Sequence, residues 1–160
     1  MLILLQNGEY DLIWINRIYL LFMAVIYGTI GVWAILDPLL GALELGYPSF
    51  LEAVGLSVTS QIGYSEIAGI YGGLNLCIGI MCLVGIFKEN IGIFSIKLIT
   101  FIVGSIAVGR VIFSMLPTTP GFYNTFFVFE VCAFFVGIIL LYLRKAYKLI
   151  QKFGQNLILK

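Results

Sequence analysis

YSEIAGIYGGLNLCIGIMCLVGIF, residues 64–87, is an unbroken apolar run with a single charged residue, Glu66. A helix needs about 20 mostly apolar residues to cross the hydrocarbon core of a bilayer. Because lipid offers no water to exposed backbone groups, a spanning segment must be a helix or a strand of a closed barrel. The run lacks the strict alternation of a barrel strand, so it predicts a transmembrane helix.

Similar runs occur on both sides of this stretch. Three of them qualify by length and composition: 12–36, 91–116 and 122–143. The short connections at 88–90 and 117–121 make the last three spans consecutive antiparallel neighbours. We therefore predict an all-α integral membrane protein, a four-helix antiparallel bundle that forms a single membrane domain over residues 1–160.

The composition excludes several other classes of protein. Charged residues make up 11% of the chain and apolar residues 61%, and the net charge is +1 with no His. So small a net charge gives no field that would gather nucleic acid. Without His, the commonest side-chain ligand of metals is missing, and Cys77, Cys82 and Cys132 form no C-x-x-C pair. We expect buried, inert cysteines, no nucleic-acid partner, no metal and no cofactor, and a bound lipid is compatible with this composition.

The distribution of basic residues predicts the orientation. Lys88 lies between spans two and three, and five basic residues follow span four: Arg144, Lys145, Lys148, Lys152 and Lys160. The loop at 37–63 carries acidic residues and no basic one. By the positive-inside rule, both termini face the cytoplasm of an inner, cytoplasmic membrane that the chain crosses several times.

Local signals predict where the spans end. Pro38 should end the first helix, and Lys88-Glu89-Asn90 is typical of a polar turn. Thr119 should cap the fourth helix, with Pro120 at its first position.

Two segments outside the spans are predicted to be helical. Ser49-Phe50-Leu51-Glu52 has the spacing of a capping box, which predicts a short helix on the outer membrane surface. In the tail at 144–160, lysines alternate with apolar residues at helical spacing. This pattern predicts an amphipathic helix on anionic cytoplasmic headgroups, or else a solvated tail.

Three charges lie within the spans, and such charges face the interior of a bundle or a watery cavity. At the rise of an α-helix, Arg110 lies roughly 9 Å, Glu130 roughly 12 Å and Glu66 roughly 3 Å below the outer ends of the spans. Matching depth on neighbouring helices predicts an Arg110–Glu130 ion pair, with Glu66 or Tyr71 completing a polar cluster. Asn75 is the fifth member, and an interhelical hydrogen bond is its expected role. Asn16, Arg17 and Lys97 should extend toward the cytoplasmic headgroups.

Small residues predict the packed helix faces, because they let helices approach closely. Glu66 heads one such face, with Gly69, Gly73 and Cys77, and Glu130 heads another, with Ala133 and Gly137. The expected packing glycines are Gly69, Gly73, Gly79, Gly109 and Gly137.

The stretch from Glu66 through Tyr71-Gly72-Gly73-Leu74 to Gly79, followed by Gly109-Arg110 and by Glu130, resembles a family of small four-helix bacterial membrane proteins. That family is grouped as a domain of unknown function, and the resemblance covers residues 15–143. It implies the four-helix architecture, a bacterial membrane and the Glu66/Arg110/Glu130 set. It implies no reaction.

Several functions are compatible with these features. The absence of a catalytic constellation and the glycine-rich helix faces favour a non-catalytic accessory or scaffold subunit that binds lipid and other membrane subunits. The alternative is a small proton-coupled or hydrophobic-ligand carrier that uses the Glu66/Arg110/Glu130 cluster. An enzyme acting on lipid or quinone is disfavoured, because no nucleophile–base pair is visible. Whether the charge cluster is architectural or functional stays open at this point.

Overall fold

The chain is all helical in a computed structural model, which describes residues 2–42, 48–115 and 125–158. The helices are α1 (Leu2–Ala42), α2 (Phe50–Ala53), α3 (Gln61–Ile67), a π-helical segment (Ala68–Gly73), α4 (Leu74–Phe87), α5 (Glu89–Ser114) and α6 (Thr125–Ile158). No β-strand occurs in these three ranges.

Four helical stretches are long and apolar enough to cross a membrane: Tyr10–Asp37, Gln61–Phe87, Glu89–Ser114 and Thr125–Phe153. Each overlaps one of the predicted spans, so the all-α fold with four apolar helices is confirmed. The protein is thus a multi-pass membrane protein by helix length and composition. The predicted cap at Thr119 and Pro120 lies outside the described residues.

Two helix ends differ from the prediction. The first helix does not end at Pro38 but runs on to Ala42. Proline removes one backbone hydrogen bond, and membrane helices tolerate that loss when other groups satisfy the freed carbonyl. The polar turn is also shorter than predicted, because α5 begins at Glu89 and only Lys88, with extended backbone (φ −116°, ψ 102°), breaks the helix.

The two predicted helices outside the spans are present, with one correction. Ser49 is the N-cap residue of α2, but its side chain makes no capping hydrogen bond. The Ser49 hydroxyl donates to the Asp37 carboxylate instead, so the predicted capping box is absent. The tail is helical, because α6 continues without a break to Ile158.

The chain divides into two compact units, and one of them is Tyr19–Gly92. Here the second half of α1 packs against the π-helical segment and α4 through glycines. A β-carbon added at Gly31 would lie 2.5 Å from the backbone nitrogen of Leu76, and one at Gly79 would lie 2.8 Å from that of Gly28. Later residues of α1 thus meet earlier residues of α4, which means that the two helices run in opposite directions.

The other unit comprises Met1–Ile18 and Ile93–Lys160. Its core contains one face of α5, on which Ser95, Ile96, Ile99 and Val103 are buried at helical spacing. Close contacts join Gly137 of α6 to Thr100, and Phe134 to Gly104. These contacts also pair earlier residues of α5 with later residues of α6, so this pair of helices runs in opposite directions as well.

Candidate functional site

Arg110 and Glu130 form a two-pronged ion pair between α5 and α6. The Arg110 Nε donates to Glu130 Oε2 at 2.9 Å, and the Arg110 Nη2 donates to Glu130 Oε1 at 3.1 Å. The parallel bonds match the planar guanidinium to the planar carboxylate, which is the strongest geometry for such a pair. The ion pair that the depths of the two residues predict is therefore present.

Burial is unequal within this pair. Glu130 is buried, at 7% exposure, and its side chain is 10% exposed against 34% for that of Arg110. An isolated carboxylate in hydrocarbon would be costly, and the guanidinium satisfies both of its oxygens. Arg110 therefore makes it possible for Glu130 to lie in an apolar interface.

The surrounding sequence explains how the pair is held. Glu130, Ala133, Gly137 and Leu140 are all buried and recur at helical spacing along α6. Gly137 fits against the Thr100 side chain, and Thr100 in turn donates its hydroxyl to the Ile96 carbonyl at 2.7 Å. The close approach of α5 and α6 along this face brings Arg110 within reach of Glu130.

Glu66 lies in the other unit, on α3, and its side chain is exposed. Among the described residues of the unit Tyr19–Gly92, it has no hydrogen-bond or ion-pair partner. Its expected role as a second partner of Arg110 stays a prediction. Tyr71 is also in this unit, where its ring lies 5.6 Å from that of Phe50, between ring centroids, at an interplanar angle of 58°.

The π-helical segment Ala68–Gly73 follows Glu66 directly. Single π-helical turns are rare and occur often at functional sites. Asn75 lies just beyond the segment and donates its side-chain amide to the Tyr71 carbonyl at 2.6 Å. The expected interhelical hydrogen bond of Asn75 is therefore replaced by a bond within its own helix, which satisfies a carbonyl of the wider π turn.

Three of the five predicted packing glycines make no close helix contact within the described part of the chain. Gly69 and Gly109 have no neighbour within 4 Å of an added β-carbon, and Gly73 has only the Ala68 carbonyl, at 3.9 Å. These three glycines are exposed, as is Cys77, so Gly69 and Gly73 on this helix and Gly109 on α5 do not form the expected close helix contacts within the described part of the chain.

Gly79 and Gly137 do lie at close helix contacts, together with five glycines that sequence reasoning missed. The missed glycines are Gly31, Gly72, Gly85, Gly92 and Gly104. At Gly85 the nearest atom to an added β-carbon is the Cα of Gly92, at 2.7 Å, across the tight turn at Lys88. The repeated small residues of the second membrane-spanning stretch, at positions 72, 79, 82 and 85, were the available signal for the glycines of that stretch.

Asp37 is a second polar site that sequence reasoning missed. The carboxylate is buried and accepts two hydrogen bonds, from the Phe50 backbone nitrogen at 2.6 Å and from the Ser49 hydroxyl at 3.1 Å. The Trp33 indole nitrogen donates to the Pro48 carbonyl at 3.1 Å, and its ring meets Phe50 edge-on at 5.5 Å between ring centroids. These contacts fasten the start of α2 to α1.

The polar residues expected near the cytoplasmic ends differ in burial and in contacts. Asn16 is buried, at 9% exposure, with no hydrogen-bond partner for its Oδ1 in the described part of the chain, so it does not extend to the headgroups as predicted. The Arg17 guanidinium lies 5.5 Å from the centre of the Trp14 ring. Lys97 is exposed.

The cysteines and acidic residues make no metal-binding group. All three thiols are free, and Cys77 and Cys132 are exposed while only Cys82 is buried, which corrects the expectation that all are buried. No cluster of three or more cysteine and acidic side chains suited to a metal occurs in residues 2–42, 48–115 and 125–158.

No protein-family model, curated protein or solved structure matches this chain. The resemblance to the four-helix bacterial family thus stays a prediction. The contacts, charges and exposed faces of the chain are the features that bear on its function.

Proposed function

We propose that the protein is a non-catalytic accessory or scaffold subunit of a larger membrane complex. The observation that carries this proposal is an exposed strip formed by Glu66, Gly69, Gly73 and Cys77 on the second membrane-spanning stretch. We call these four residues the small-residue strip.

The composition of the strip favours protein over lipid as its neighbour. Protein interfaces within membranes are enriched in small residues, which let two helix backbones approach closely. An ionised carboxylate in contact with lipid is costly and faces a partner or a water-filled space. Glu66 has no such partner among the described residues of its own unit, whereas Glu130 is already paired with Arg110.

These features define the chemistry of the partner. It is a membrane helix with its own small residues at the level of Gly69 and Gly73. It also carries a Lys or Arg, or a set of hydrogen-bond donors, at the level of Glu66. Gly69 and Gly73 belong to the π-helical segment Ala68–Gly73, and both are exposed.

We place the complex in a bacterial inner membrane, with both termini in the cytoplasm and the four spans in one antiparallel bundle. The basic residues after span four and the acidic loop at 37–63 support this orientation. In this arrangement α2 lies at the outer surface, and the end of α6 lies along the cytoplasmic headgroups.

Gly69→Leu is expected to disrupt the complex without unfolding the subunit. An added side chain at Gly69 meets open space in the isolated chain, but it would fill the room that a neighbouring helix needs. Overpacking a helix contact costs about 1–3 kcal/mol, so the assembled fraction should fall roughly five- to a hundredfold. The measurement is the mass of the assembly after purification in mild detergent, with its subunits identified by mass spectrometry.

Gly109→Leu is the matched control, since Gly109 is also an exposed glycine within a span and also meets open space. It should leave both the assembly and the melting temperature unchanged. A wild-type protein that purifies as a lone monomer would contradict the proposal. So would an assembly that survives Gly69→Leu as well as it survives Gly109→Leu.

A further inference from the structure

A cavity of about 620 Å³ lies between α5 and α6 in the unit Met1–Ile18 and Ile93–Lys160. Five cationic side chains line it: Lys97, Arg144, Lys145, Lys148 and Lys152. The remaining lining residues are apolar, among them Leu141 and Leu149, and no acidic side chain of the described chain is part of the lining. The surface of the site is therefore mostly apolar, with five cationic residues around it.

The position of the cavity points to a lipid. Lys97 lies near the beginning of the span Glu89–Ser114, and Arg144 follows the apolar core of the span Thr125–Phe153. At this level a side chain meets phospholipid headgroups, while Leu141 and Leu149 offer apolar surface to the first carbons of an acyl chain. Basic pockets between transmembrane helices bind anionic headgroups.

Two features distinguish a defined site from diffuse attraction to a charged surface. The cations come from two helices, Lys97 from α5 and the other four from α6, and they face one common cavity. The volume falls within the range of about 300–1,000 Å³ that is typical of small-molecule sites. A basic helix lying on a membrane would involve the lysines of α6 alone.

The spread of the cations indicates how much negative charge the ligand carries. Arg144 and Lys152 are eight residues apart, or about 12 Å along α6. That distance exceeds what one phosphate group can span. Two phosphates on one headgroup would use the whole set of cations.

We infer that this cavity binds the headgroup of an anionic phospholipid with two phosphodiesters, of the diphosphatidylglycerol type. One phosphate meets Lys97 and the nearer cations of α6, and the other meets the cations toward Lys152. The acyl chains leave along Leu141 and Leu149. This ligand is independent of the partner that the small-residue strip binds, and either proposal can fail without the other.

The test is lipid binding to the purified full chain in a neutral detergent, followed by native mass spectrometry. Four additives are titrated separately: diphosphatidylglycerol, phosphatidylglycerol, phosphatidylcholine and inorganic phosphate. We expect one tightly bound diphosphatidylglycerol, at least tenfold weaker binding of phosphatidylglycerol, and no retention of the other two at the same concentrations.

Lys97→Gln is the decisive variant, because Lys97 is the only contribution of α5 to the cationic lining within the described chain. Loss of one lysine beside an anionic headgroup should weaken diphosphatidylglycerol binding about fivefold. Lys97→Arg keeps the charge and should restore binding. Lys88→Gln removes an equal charge outside the cavity and should have no effect, and lipid-free melting temperatures establish that each variant is folded.

Three outcomes would overturn the inference. Equal losses from Lys97→Gln and Lys88→Gln would mean diffuse surface attraction. Equal retention of phosphatidylglycerol and diphosphatidylglycerol would contradict a headgroup with two phosphates. Equal retention of inorganic phosphate would mean an anion site rather than a lipid site.

Discussion

Arg110→Ala is expected to lower the free energy of unfolding by about 3–5 kcal/mol, because it leaves the buried Glu130 carboxylate without its partner. In the native protein both Glu130 oxygens accept hydrogen bonds from the guanidinium, at 2.9 and 3.1 Å. Alanine removes both donors at once. Thermal and denaturant unfolding in detergent measure the effect.

The double variant Arg110→Leu with Glu130→Leu separates the effect of the two charges on the free energy of unfolding from the effect of side-chain packing. Replacing a buried ion pair with apolar residues of similar size is often neutral or stabilising, so the double variant should be more stable than Arg110→Ala. Arg17→Ala is the control, since the Arg17 guanidinium lies over the Trp14 ring and its loss should cost only about 0.5–1 kcal/mol. A loss from Arg110→Ala no larger than that from Arg17→Ala would contradict the account of the ion pair.

The same variants answer whether the ion pair is architectural or functional. An architectural pair predicts that the double variant is folded and still enters the membrane complex. A double variant that is stable but no longer assembles would instead assign the pair a direct part in binding.

Gly31→Ala should destabilise the packing of α1 against α4, by about 1–3 kcal/mol or more. Its β-carbon would lie 2.5 Å from the Leu76 backbone nitrogen, 2.8 Å from the Leu76 Cα and 2.9 Å from the Gly72 carbonyl oxygen. These are backbone atoms, so no side-chain rotation relieves the clash, and the helices must separate. Unfolding by denaturant in detergent measures the loss.

Gly28→Ala is the matched control on the same helix, three residues away. An added β-carbon at Gly28 has no neighbour within 4 Å. Alanine also favours the helix over glycine by about 0.8–1 kcal/mol, so Gly28→Ala should be neutral or stabilising. Equal effects of the two substitutions would show that α1 and α4 do not meet at Gly31.

Much of the fold follows from the sequence alone. The four apolar helices could be predicted because hydrocarbon demands long helical runs, and long runs leave a strong signal. The Arg110–Glu130 pair could be predicted because a charge in lipid requires a partner at equal depth on a neighbouring helix. Both predictions rest on the free-energy cost of leaving backbone groups or charges unsatisfied in hydrocarbon. Few alternative arrangements avoid that cost.

Two errors concern which face of a helix packs and where a helix ends. The face that contains Gly69 and Gly73 was expected to pack against the neighbouring spans, but both glycines are exposed, and the π turn at Ala68–Gly73 was not expected. Nothing in the residue types of the segment distinguishes a π turn from an α turn. The end of the first helix was also predicted wrongly at Pro38, because a proline that ends helices in water is tolerated in a membrane helix.

The role of Asp37 depended on a tertiary contact that spacing does not reveal. Its carboxylate accepts hydrogen bonds from the Ser49 hydroxyl and the Phe50 backbone nitrogen, which lie twelve and thirteen residues further along the chain. The Ser49 hydroxyl that fitted a capping box is therefore used elsewhere. The capping signal predicts the helix start correctly, but the Ser49 hydroxyl donates a hydrogen bond to the charged Asp37 carboxylate and accepts none from the backbone of the first turn.

Site-specific photo-crosslinking in native membranes tests the central claim, that the small-residue strip binds another membrane subunit. A photoreactive aliphatic residue replaces Ile70, which is exposed beside Gly69, or Ile106, which is exposed on α5. The two sites have the same side chain, and each lies several turns into a span. We predict a discrete crosslinked protein product from position 70, lost in the Gly69→Leu background, and only lipid adducts from position 106. Lipid adducts alone from position 70 would contradict the account.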